Sequence, residues 1–224
     1  MRFDFLGSFL GQIGLAALLT IALSIVALVG GALLGSLIAL ARVLGGRPVD
    51  RLLTLPVDLI RGTPVLVQLM AWYLIPGAFK WDVSPFAAAG IGLSVNSGAF
   101  ISEILRGGIA AVPRGQREAA LALGLSRSFT VLRIEFPQAL PAIVPALVGF
   151  YIGLIKDTSL AYIVGLHELT RQAKLIADFT FRPLEIYVVI AALYFVLCFP
   201  LSRLVPVVER RLRRSGTLIG RLSV

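Results

Sequence analysis

Few residues in this chain have the type and spacing to do chemistry, and those few point to binding rather than catalysis. The single histidine, His167, has no Cys or His at ligand spacing, and no HExxH or G-x4-GK[ST] pattern occurs. A Ser-His-Asp or Cys-His set has nothing to build on. Two aspartates at membrane depth would suit an intramembrane hydrolase, but only Asp157 comes close. What remains is a scatter of polar groups among apolar runs: Gln68, then Ser94, Asn96 and Ser97, then Lys156-Asp157-Thr158-Ser159. Polar groups in that setting default to a solute or coupling path. A charge pair followed by two hydroxyls also fits a carboxylate and an ammonium. Glu103 and Arg106, three residues apart on a helix, share a face and read as a snorkelling structural pair. Cys198 lies alone in an apolar run and reads as filler.

The elements that must position these groups span a membrane. Hydrophobic residues make up 58% of the 224 and charged residues 15%, with a mean hydropathy of +0.91. A soluble domain carries about 25% charge. The net charge of +9 does not imply nucleic acid, because the basic residues sit at the ends of apolar runs, where membrane topology puts them. The N-terminal apolar run is too long for a signal peptide and lacks a small-residue cleavage site, so it is read as a retained span.

Charge-free runs predict an all-α integral membrane protein with five transmembrane helices, at roughly 10–41, 62–79, 84–106, 137–156 and 185–204. The chain is expected to form one transmembrane domain over 1–224. Splitting the first run at Gly30-Gly31 would leave a short first half. Of the 21 Lys and Arg, fifteen fall in the first and third connections and the tail, which predicts N-terminus outside and C-terminus inside. The fourth connection is basic but balanced by Asp157, Glu168, Asp178 and Glu185. Its apolar stretch Leu160–Leu166 is expected to dip back into the protein. Pro137, Pro141 and Pro145 recur every fourth residue of the fourth span. They read either as ordinary kinks or as a helix built to bend in a gating cycle. Gly31-x3-Gly35 and Gly149-x3-Gly153 allow close helix approach.

One segment breaks the pattern. Residues 113–137, PRGQREAALALGLSRSFTVLRIEFP, form a polar, Arg-rich island on the cytoplasmic side of the topology, with a helix-forming stretch at its centre. A short helix that cannot sit in lipid faces water or a partner. Its small residues Ala119, Ala120, Ala122 and Gly124 allow close approach, Glu118 suits the positive start of a helix, and Gly124 permits the reversing turn.

The island also carries a resemblance. Glu118-Ala119-Ala120, then Gly124, Ile134 and Phe136-Pro137 resemble the EAA signature of the membrane subunits of bacterial ABC importers, with Phe136 where the pattern usually has Leu. The polar-amino-acid, histidine-permease-like branch is matched over nearly the whole length. Its pieces are Arg61-Gly62-Thr63-Pro64 through Gln68, Glu103 through Ile109, Pro113-Arg114-Gly115-Gln116, Lys156 through Leu160, Glu168-Leu169 and Glu209-Arg210-Arg211.

The resemblance implies a MetI-like type I importer fold in the bacterial cytoplasmic membrane, paired with a second identical or related permease subunit. It also implies two ATPase subunits, which hold the ATP and Mg that this chain does not, and an extracytoplasmic substrate-binding protein. The coupling helix is expected at roughly 116–126, with Gly115, Gln116, Glu118, Ala119, Ala120 and Gly124 meeting an ATPase. Gln68, Asn96, Ser97, Phe150, Lys156, Asp157, Thr158 and Ser159 are expected along the substrate path. Arg61, Thr63, Pro64, Glu103, Arg106, Pro137 and Pro141 are expected in structural or gating places. Some relatives carry Asn followed by Gln or Glu where this chain reads Gly149-Phe150-Tyr151. With no acid there, a neutral or acidic amino acid is expected as substrate. The rival readings are an ATP-independent channel or secondary carrier and a structural anchor. Five spans do not divide into the matched halves that secondary carriers show, and an anchor has no use for mid-span polar groups.

Overall fold

The computed structural model describes residues 4–220, with side chains through Arg211, and among these the ordered elements are helical without a strand. A short 3-10 helix at Asp4–Phe9 leads into α1 (Leu10–Leu44), a continuous run of 35 residues that passes through Gly30-Gly31. Then come α2 (Gly46–Gly62), α3 (Val65–Ala78), α4 (Pro85–Ala110), α5 (Arg114–Ala122) and α6 (Arg127–Thr130). A wide π-type turn at Val131–Glu135 feeds α7 (Phe136–Asp157). A 3-10 stretch at Thr158–Val164, α8 (Leu169–Thr180) and α9 (Pro183–Gly220) complete the order.

Among the described residues, four helical stretches are long and apolar enough to cross a membrane, and the bent pair α2–α3 supplies a fifth candidate. That pair corrects the expected second span. The apolar run 62–79 begins on the last residue of α2, the chain bends by 102°, and only Val65–Ala78 forms the apolar helix. Pro64 causes the break: it excludes the preceding residue from the helical region, and Thr63 is extended at φ −101°, ψ 136°. α2 itself is an element the apolar runs did not reveal. It is amphipathic, with Leu52, Leu55 and Leu59 exposed on one side.

α4 is the centre of the bundle: 67% of its apolar window is buried, against 17% for α9. Its start is set by Ser84, whose Oγ accepts the Ala87 N–H, with Pro85 in the first turn. It is rich in Gly, Ala and Ser, and α1 lies against it through Gly30, Gly31 and Gly35. A methyl group on Gly31 would fall 2.4 Å from Ser97 Cβ, and one on Gly35 would fall 2.8 Å from the Gly98 carbonyl. In lipid, helices associate by such close packing of small residues. The other glycine pair makes no such contact within this chain, since a methyl group on Gly149 or Gly153 would meet nothing within 4 Å.

The prolines of α7 leave it one continuous helix. Pro137 falls in the first turn, where its missing N–H is an orphan in any case. The change in helical pitch lies just before it, where the Phe136 N–H reaches back five residues to the Val131 carbonyl. Pro141 and Pro145 sit inside α7.

The 158–182 connection folds back into the bundle. Ala161, Val164 and Leu166 join the core of Leu23, Ala27, Leu69, Leu93 and Leu154. α8 is a second element that periodicity of the apolar runs had hidden. It buries Leu169, Gln172, Ala173, Ile176 and Ala177 on one face, against Ile13, Ala16, Ile186 and Ile190. Its start is fixed by Glu168, whose carboxylate accepts the Thr170 and Arg171 N–H groups, both at 2.8 Å, and the Tyr194 hydroxyl at 3.0 Å. Burial pushes the Glu168 carboxyl above its ordinary range, and those donors oppose the shift.

Candidate functional site: an exposed helix and the ion pairs beneath it

α5 stands off the bundle. Ala120 is its one buried residue, while Gly115, Gln116, Glu118 and Ala119 are exposed. It starts two residues before the expected 116–126, because Pro113 is extended and the helix opens directly after it. Glu118 is therefore the fifth helical residue, and the first turn holds no acid. The expected pairing of Glu118 with the helix dipole fails on that register, since the effect fades within one turn.

The expected role of Gly124 in ending the helix has a clear geometry. Its φ is +76°, its N–H bonds to the Leu121 carbonyl at 2.9 Å, and the Leu125 N–H bonds to Ala120 at 3.1 Å. These two bonds form a Schellman cap. Space beside Gly124 is open, so the requirement is conformational rather than steric.

Beneath α5 lies an ion cluster that residue spacing did not expose. Glu135, at 1% exposure, accepts Arg117 Nε at 2.5 Å and lies 3.6 Å from Arg127 Nη1. It closes the π-type turn that opens α7, so it joins α5 and α6 to that helix. Gln138 donates to Gln116 alongside, at 3.3 Å. The only signal in the sequence was two acids among the four arginines of 113–137, and no periodic rule pairs residues eighteen apart.

A second cluster ties α1, α2 and α4. The predicted Glu103–Arg106 pair forms, with Arg106 Nη2 at 2.7 Å from Glu103 Oε2. Its centre, however, is Arg42, 6% exposed. Arg42 donates Nε to Asp50 at 2.8 Å, Nη2 to Thr54 at 2.9 Å and Nη1 to Glu103 at 2.5 Å. Three acceptors on two other helices satisfy the guanidinium fork. Nearby, Arg61 lies 3.7 Å from Asp58 and 5.3 Å from the Phe100 ring centroid, and Thr63 Oγ1 donates to the Leu59 carbonyl at 2.6 Å. Arg61, Thr63 and Pro64 are all exposed at the α2–α3 bend.

Of the expected path residues, the structure brings one group together. Gln68 donates its amide to the Ile60 and Thr63 carbonyls at 2.7 and 2.9 Å, fixing the bend. Its Oε1 accepts from buried Asn96 at 3.4 Å. One turn along α4, Phe100 stacks on Phe150 at 5.7 Å. Ser97 turns to α1, against Gly31, and its hydroxyl has no partner.

The segment 156–159 lies at the far end of α7. Thr158 is fully buried and donates to the Ile155 carbonyl at 2.6 Å. Lys156 is exposed, Asp157 and Ser159 half-buried, and among the described residues no ion pair joins Lys156 to Asp157. Consecutive helical residues diverge around the axis, so the two do not face each other. No group of three His, Cys, Asp or Glu that could hold a metal occurs among the described residues.

A family model described as binding-protein-dependent transport system inner membrane component matches residues 31–214. The glutamine transport system permease protein GlnP of Escherichia coli K12 is 40% identical over 199 residues, 88% of this chain and 91% of the relative. The L-cystine transport system permease protein TcyB of Bacillus subtilis is 42% identical, over 87% and 84% respectively. The arginine transport system permease protein ArtQ of B. subtilis is 34% identical, over 88% and 90%. Among solved structures, a crystal structure of an amino acid ABC transporter with histidines superposes with a TM-score of 0.87 at 34% identity, covering 94% of this chain and 99% of that one. An inward-facing MetNI methionine ABC transporter chain gives 0.74 at 20% identity over 90% and 98%, a likeness of fold.

Proposed function

The chain belongs to the family of binding-protein-dependent transport system inner membrane components, as a non-catalytic, multi-pass permease subunit of an ABC importer, and from that premise we propose that it carries a polar amino acid inward by alternating access. The observation that carries the reading is α5: a capped, small-faced helix displayed outside the bundle, with Glu118 and Ala119 free to meet a partner. Two ATPase subunits holding ATP and Mg are the proposed partner there. A second permease subunit, identical or related, completes the path, and an extracytoplasmic binding protein delivers the solute.

The Arg42 cluster gathers the C-terminal ends of α1 and α4 with α2 at one end of the bundle. Thr20 and Gln12 of α1 meet Leu169 and Gln172 of α8 near the other. The excess of Arg and Lys at the Arg42 end supports five spans with that end, α5 and the C-terminus in the cytoplasm. Gln68, Asn96 and Phe150 are the proposed path at mid-bundle, with Asp157 and Lys156 as separate contacts for ammonium and carboxylate. Gly149-Phe150-Tyr151 offers no acid, which supports a neutral or acidic substrate. Two of the relatives above are named for neutral amino acids, glutamine and cystine, and one for arginine.

Uptake by the complex reconstituted in liposomes tests this. ATP-dependent accumulation of glutamine above arginine and lysine is the expected result. Arginine or lysine as best substrate overturns the substrate class, and nucleotide-free transport by this chain alone favours the channel or carrier reading instead.

A further inference from the structure

We propose that Glu135, clasped by Arg117 and Arg127, is the strut through which a displacement of α5 is delivered to α7. This rests on the reading of α5 as the helix that meets an ATPase. α5 has little hold on the bundle: Ala120 is its only buried side chain. A helix so exposed can be pushed without moving anything unless something ties it in. The ties present are Arg117 to Glu135 and Gln116 to Gln138, and both end on the first residues of α7 or the turn before it.

Glu135 is built for this place. It is 1% exposed, so removing a partner leaves a desolvated charge, and the carboxylate is held to the guanidinium with little freedom to drift. Its second oxygen and Arg127 Nη1 have no hydrogen-bond partner, although the Arg127 nitrogen stands 3.6 Å from the occupied oxygen. A small rotation of Glu135 therefore exchanges one arginine for the other without exposing the carboxylate. The residue also ends the π-type turn, where the helical ladder has changed register ahead of Pro137. Beyond it, α7 runs unbroken to Asp157, so a pull at Glu135 moves a rod rather than a loop. Discrete rearrangement of packed elements is how such displacements are transmitted.

The strut makes Glu135 a positioning residue, and its readout is substrate moved per ATP hydrolysed by the reconstituted complex. Glu135→Gln and Arg117→Gln are each expected to lower that ratio about tenfold, within the span of coupling mutations, while ATP hydrolysis and co-purification of the ATPase subunits stay near wild type. The double variant is expected to be no worse than the worse single one, as for residues acting as a unit. An unchanged ratio in an assembled E135Q complex overturns the proposal, as do multiplicative losses or loss of the ATPase subunits from E135Q. Should E135Q fail to fold, Arg127→Gln replaces it, and a ratio equal to wild type in R127Q is then the overturning result. Failure of the importer reading is distinguishable, because the wild-type complex would then show no ATP-dependent uptake at all.

Discussion

Arg42 shows what a single buried charge does in this protein. The residue is 6% exposed and its guanidinium is satisfied by Asp50, Thr54 and Glu103, so it fixes the mutual position of three helices. Truncating one partner of a buried, hydrogen-bonded cluster strands the others in low dielectric. Arg42→Ala is expected to destabilise the protein by about 3 kcal/mol, read as a lowered melting temperature in detergent. Arg106 is 39% exposed at the side chain, and its partner keeps Arg42, so Arg106→Ala is expected to cost about 1 kcal/mol or less. Equal losses from the two would count against Arg42 as the centre. The sequence offered Glu103 and Arg106 by their spacing, whereas Arg42 stood out only as a positive charge at a span end. Its partner Asp50 lies on α2, whose packing no local rule predicts.

At the scale of elements, the contact between α1 and α4 decides the bundle. Gly31 leaves no room for a side chain: a methyl there meets Ser97 Cβ at 2.4 Å, while Gly149 has nothing within 4 Å. Gly31→Leu is therefore expected to destabilise by about 1–3 kcal/mol or to prevent folding, and Gly149→Leu to leave thermal stability close to wild type. A neutral Gly31→Leu would remove the close-packing argument. The two G-x3-G pairs were indistinguishable as sequence, and only the tertiary arrangement puts one against a neighbour. The same holds for the prolines of α7: their spacing is plain, but the wide turn before Pro137 depends on where the chain must re-enter the bundle.

For the molecule as a whole, orientation is the property with the widest consequences, because the proposed topology places α5 on the side where ATP is available. In a Cys198→Ala background, a cysteine at Leu123, 80% exposed, is expected to react with a membrane-impermeant maleimide only in inside-out vesicles. A cysteine at His167, which is exposed on the connection before α8, is expected to react in right-side-out vesicles. The reverse pattern would invert the topology and with it the role proposed for α5.

The sequence by itself determined that the chain is an all-helical membrane protein, roughly where its apolar runs lie, and that a polar helix interrupts them at the EAA segment. Those properties follow from local quantities: runs of uncharged residues, the side on which arginines accumulate, and a glycine where a helix must stop in the left-handed region. The break at Thr63-Pro64 follows locally from the proline, whereas tertiary structure alone decided its 102° angle, the packing of the amphipathic helices α2 and α8, and the two clusters around Arg42 and Glu135. It also turned Ser97 toward α1. Each of these depends on which residues, distant in the chain, share a buried environment, and a charge or a hydroxyl finds its partner only after the helices have packed.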